Sequence, residues 1–186
     1  MADPDHIPQM DAFDRLTVGL YRAGLLGQAL GLFVISATEI GWAARDVGPL
    51  AMLTAVALSV GNLHLYDKRI RWLISTSGWL GAVLVVAAAT LPESAWVEAL
   101  LHYAGLGFLF VVTSALALKE RFCFRLPGLQ AVPVALAGGV ATGLFGFGTL
   151  TAVALGLSGL VVALLAVAKL RMPVHVDIGN KDAYQV

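Results

Sequence analysis

"LPGLQAVPVALAGGVATGLFGFGTLTAVALGLSGLVVALLAVA", residues 126–168, contains no charged residue. As one helix it would run ~64 Å at ~1.5 Å per residue, about twice the ~30 Å hydrocarbon layer of a bilayer. The stretch must therefore turn back on itself. The place is "LFGFGT", residues 144–149, because glycines permit a tight reversal. Two antiparallel membrane helices result, near 130–145 and 149–168. Inside a bilayer every backbone polar group must be bonded internally, which favours helices. The apolar runs are continuous rather than alternating, which argues against a β-barrel.

The rest of the chain repeats this pattern. Of its 186 residues, 59% are hydrophobic and 13% are charged, against about 25% charged in soluble domains. The formal net charge of zero conceals short charged clusters separated by long uncharged runs. Four further spans fall at about 22–42, 48–66, 72–91 and 96–118. Of the 12 Lys and Arg residues, 11 lie on one side of such a bundle. Arg45 alone lies on the other. The positive-inside rule makes the basic side, with both termini, cytoplasmic. Trp42, Trp72, Trp79 and Trp96 fall at or near span ends, where indole rings favour the interface. The expected organisation is an acidic cytoplasmic segment (1–16), a membrane domain (17–170) and a cytoplasmic tail (171–186). "MADPDHIPQMDAFDR", residues 1–15, lacks the basic region of a cleavable signal peptide, so the first span is expected to direct insertion. Cys123 is the only cysteine, which excludes an intramolecular disulfide.

Four stretches carry a resemblance: "LYRAGLLG" (20–27), "HLYDKRIRW" (64–72), "LKERFCF" (118–124) and "DIGNKDAY" (177–184). In that order they resemble a family of bacterial integral membrane proteins, a domain of unknown function found in cyanobacteria and proteobacteria. The resemblance runs from about residue 17 to 184. It implies a multi-span membrane protein and names no substrate. All four stretches fall on the expected cytoplasmic face, so any shared chemistry is expected there.

That face gathers Arg22, Asn62, His64, Tyr66, Asp67, Arg69, Glu120 and Arg121 as a candidate ligand or partner site. Arg22 either snorkels to headgroups or pairs with Asp67 or Glu120. Asn62, Tyr66 and Arg69 share one helical face if the second helix persists through the turn. The competing reading is structural, with these groups tying helices together and touching lipid. On the outer side Glu39 needs a partner, and His102 is nearest in depth. The readings are a proton or cation entry point, a simple helix-locking pair, or a glutamate reaching outer water. His64 and His102 differ too much in depth to share a metal or a haem. Single-ligand haem or pigment binding at either one is the remaining cofactor option; otherwise no cofactor or metal is expected. Cys123 has cationic neighbours but no evident acid–base partner, so it reads as a packing residue rather than a nucleophile.

Gly24, Gly27 and Gly31 share a face of the first span, Gly139 and Gly143 form a GxxxG, and Gly156 and Gly159 sit in the last span. Such spacing lets helices approach closely. There is no phosphate-binding Gly-rich loop, HExxH, nucleophile elbow or CxxC. The combined expectation is an all-α polytopic transmembrane helix bundle of about six spans in the bacterial inner membrane, with N and C termini cytoplasmic. Its expected role is that of a non-catalytic accessory or assembly component of a membrane complex. A small transporter or channel is the alternative, and no nucleic-acid partner is expected.

Overall fold

The computed structural model describes residues 10–63, 65, 67–92 and 96–178. They form helices α1 (Ala12–Glu39), α2 (Val47–Gly61), α3 (Lys68–Ala89), α4 (Trp96–Arg121), α5 (Val132–Leu144), α6 (Gly148–Leu170) and the short α7 (His175–Ile178). A 3-10 turn, Leu129–Ala131, leads into α5. No strand occurs among the described residues.

Helices α1, α3, α4 and α6 are long and apolar enough to cross a membrane. Of the two other apolar segments, α2 stops short of the expected 48–66, whereas the helical run 129–144 is as long as the expected 130–145. At ~1.5 Å per residue α2 reaches only ~22 Å, and the helical run 129–144 only ~24 Å. The reason for the first is local. Helix α2 ends at Gly61, where the Asn62 side chain bonds back to the Leu58 carbonyl, 2.8 Å away. It does not persist through the turn, so Asn62 and Arg69 belong to different helices. Asp67 instead caps α3, its carboxylate accepting the amides of Arg69 and Ile70.

Helix α1 begins ten residues earlier than the span it carries. Asp11 and Asp14 form a reciprocal capping box, so the helix is nucleated by carboxylates well before the apolar stretch. The uncharged run reverses between α5 and α6, with Gly146 at φ +76°, a conformation that L side chains rarely adopt.

Consecutive helices from α1 to α6 pack against one another, and α6 returns to α1, closing a ring. Leu25, Leu32, Leu106, Leu109, Leu155 and Leu165 fill its centre and are almost wholly buried. Small residues set the close approach of α1 and α2. A Cβ on Gly24 would lie 2.6 Å from the Ser59 amide nitrogen and 2.8 Å from the Ala55 carbonyl oxygen. Helices α1 and α2 meet backbone to backbone there. The exterior is apolar, and Trp42, Trp72, Trp79 and Trp96 are all exposed.

Candidate functional site

A buried ionic cluster closes the end of the ring where α1 starts and α4 and α6 finish. Tyr21, on α1, donates its hydroxyl to Glu120 Oε1 at 2.7 Å. Lys119 approaches the same carboxylate oxygen at 3.1 Å and lies over the Tyr21 ring, 4.7 Å from its centroid. Lys169, on α6, contacts Glu120 Oε2 at 2.6 Å and Asp177 Oδ1 at 2.5 Å. Arg22 completes the chain through Asp177 Oδ2, 2.8 Å from its Nε. Its other nitrogens donate to the carbonyls of Met172 (2.9 Å) and Pro173 (3.2 Å).

The side chains of Glu120, Lys169 and Asp177 are at most 3% exposed. In such a setting each charge depends on its partners, because an isolated buried ion is strongly disfavoured. Phe124 packs beside Lys169, 5.6 Å from ring centroid to ammonium. The arrangement joins α1, α4 and α6 and folds the segment beyond α6 back beneath them. Chemically it holds charge. Every functional group described in it is already engaged with another.

The sequence offered Arg22 two roles, snorkelling to headgroups or pairing with Asp67 or Glu120. The structure pairs it with Asp177 instead, because the chain after Leu170 turns back under α1 and delivers a carboxylate and two carbonyls to the guanidinium. Of the expected belt, Arg22 and Glu120 enter this cluster. Asp67 serves as a helix cap, and Arg69 and Arg121 are exposed. His64 and Tyr66 lie outside the described residues. Tyr21, Lys119, Lys169 and Asp177 were not singled out from the sequence. A signal was present: the stretches at 20–27, 118–124 and 177–184 each contribute to this one cluster.

At the opposite end of the ring a cavity of about 270 Å³ is lined by Thr38, Glu39, Arg45, His102 and Tyr103, among others. Here the expected Glu39–His102 pair is replaced. The Tyr103 hydroxyl lies 2.9 Å and 3.1 Å from the two Glu39 carboxylate oxygens. Arg45 donates to Glu98 at 2.9 Å, and His102 Nδ1 stands 3.9 Å from Glu98, one turn earlier on α4. Tyr103 wins Glu39 because Gly143 leaves room for its ring; a Cβ at that position would collide with it. Among the described residues no group of three His, Cys, Asp or Glu side chains is placed to hold a metal ion.

Residues 56–186 match the profile described as "Uncharacterized integral membrane protein (DUF2301)". The chain belongs to that family. A relative in Haemophilus influenzae, described as an uncharacterized protein, is 34% identical over 190 residues and is covered, like this chain, over its full length. No solved structure matches. The DUF2301 match begins within α2 and takes in Glu120, Lys169 and Asp177, but not Tyr21 or Arg22. The proteobacterial relative extends the similarity across α1.

Proposed function

We propose that this DUF2301 protein is a non-catalytic accessory or assembly component of a bacterial inner-membrane complex. It crosses the bilayer six times with both termini in the cytoplasm. The observation that carries this reading is the packed apolar middle of the ring. Leu25, Leu32, Leu106, Leu109, Leu155 and Leu165 separate the two polar ends. The charges of the buried cluster, Arg22, Lys119, Glu120, Lys169 and Asp177, are consumed in tying the protein's own segments together, which suits a rigid scaffold. The two short helices are compatible with crossing, because non-helical backbone at membrane depth is tolerated where protein covers it. Leu63, after α2, and Leu129, before α5, are both buried. The basic residues favour a cytoplasmic location for the ionic end.

A small transporter is the second reading. The cavity around Glu39 and His102 favours it, as does the mid-bundle contact between Gln28 and Ser59, 2.6 Å apart. The two are separated by isolating the tagged protein in mild detergent at native expression level and identifying its companions by mass spectrometry. A stoichiometric membrane complex supports the accessory role. The protein recovered alone contradicts it and moves the transporter reading ahead.

A further inference from the structure

The α4–α5 loop builds a second basic feature that is independent of the buried cluster. A cavity of about 540 Å³ is lined by Arg121, Phe122, Arg125, Leu126, Pro127 and Gln130. Its lining holds two guanidinium groups and no carboxylate. The loop is anchored from beneath. The amides of Cys123 and Phe124 return to the Glu120 carbonyl at 3.0 and 2.8 Å. Leu129 is fully buried, and Gly128, at φ +91°, turns the chain into the 3-10 segment. Lys119 and Glu120 belong to the ionic cluster, whereas Arg121, Phe122 and Arg125 are exposed.

A structural role accounts for part of this. Arg121 stands in the last turn of α4, where a cation complements the helix dipole. Arg125 is beyond the helix and gains nothing from it. Arginines present forked donors that match phosphate oxygens. Phe122, Leu126 and Pro127 add an apolar wall of the kind a glycerol or acyl segment contacts. The position, at the end of a membrane-length helix, is headgroup depth.

We propose that this cavity binds a phosphate group, and that Arg121 and Arg125 are its two ligands. The source the surroundings favour is an anionic phospholipid headgroup, with a free phosphate compound as the competing source. The site rests on the loop's geometry and not on the accessory role.

The test uses the full-length protein in mild detergent. Native mass spectrometry counts retained phosphatidylglycerol against phosphatidylcholine, and a parallel thermal-shift titration uses inorganic phosphate. The variants are the doubly substituted Arg121→Gln/Arg125→Gln and, as a control of equal charge loss, Arg15→Gln/Arg171→Gln. The expected result is preferential retention of phosphatidylglycerol, reduced about tenfold or more in the first variant and little changed in the control. Stabilisation by inorganic phosphate, lost in the same variant, would support the site with the soluble source. Equal behaviour of the first variant and the wild type in both arms would overturn the proposal. So would an equal loss in the control, which would mean general charge attraction only.

Discussion

Lys169 Nζ lies 2.6 Å from Glu120 Oε2, joining the ends of α6 and α4 through two almost fully buried side chains. Removing Lys169 takes one of two cations from each of Glu120 and Asp177, which keep Lys119 and Arg22, so the cost is bounded by the about 3–5 kcal/mol of a fully broken buried pair. Lys169→Met is therefore expected to destabilise the protein within that bound in detergent unfolding. Adding Glu120→Gln should recover part of the loss rather than add to it. Strict additivity of the two substitutions would show that the contact is not energetically coupled.

Arg22 holds the segment after α6 by three separate groups: the Asp177 carboxylate and the carbonyls of Met172 and Pro173. A lysine carries the charge without the fork, so Arg22→Lys should not restore the arrangement. Losing charge-assisted bonds of about 1.5–3 kcal/mol predicts roughly tenfold or greater opening of this segment. Trypsin cleavage after the exposed Arg171 should accelerate accordingly. An unchanged cleavage rate would mean that Arg22 does not fasten the segment.

The α1–α2 contact is expected to tolerate no side chain at Gly24, where a Cβ would meet the α2 backbone. Gly24→Val should cost about 1–3 kcal/mol or more through overpacking. Gly19, where an added Cβ would have nothing within 4 Å, supplies the contrast. Gly19→Ala should stabilise by about 0.5–1 kcal/mol through helix propensity. The melting temperatures of the two variants should move in opposite directions.

Gln28 is fully buried mid-helix; its amide donates to Ser59, and its carbonyl oxygen has no hydrogen-bond partner among the described residues. The Ser59 hydroxyl lies within hydrogen-bond reach of the Ala55 and Val56 carbonyls whether or not Gln28 is present. Gln28→Leu should thus be nearly neutral or stabilising in thermal unfolding. A loss of more than about 2 kcal/mol would instead mark the amide as a strong tie between α1 and α2.

Much of the fold was legible because bilayer physics leaves few options for a run such as 126–168. Its length required a reversal, and glycines marked the place. The small-residue faces of α1, α5 and α6 likewise announced close packing. Partner choice was not legible. Arg22 has several acids at similar depth, and only the path of the chain beyond Leu170 selects Asp177. Glu39 and His102 match in depth, yet depth says nothing about azimuth around the ring, and Tyr103 occupies the position facing Glu39. The extent of α2 was overestimated because apolar composition continues to Leu65 while the helix stops at Gly61.

The placement on which the account rests is that the ion-paired end faces the cytoplasm. Cys123, exposed beside that end and the only cysteine, reports on it without any substitution. The measurement is labelling by a membrane-impermeant maleimide in right-side-out spheroplasts and in inverted membrane vesicles. The account predicts labelling in the inverted vesicles and protection in the spheroplasts until the membrane is opened. Labelling in intact spheroplasts would contradict it, turning the ionic cluster and the arginine-lined cavity toward the periplasm.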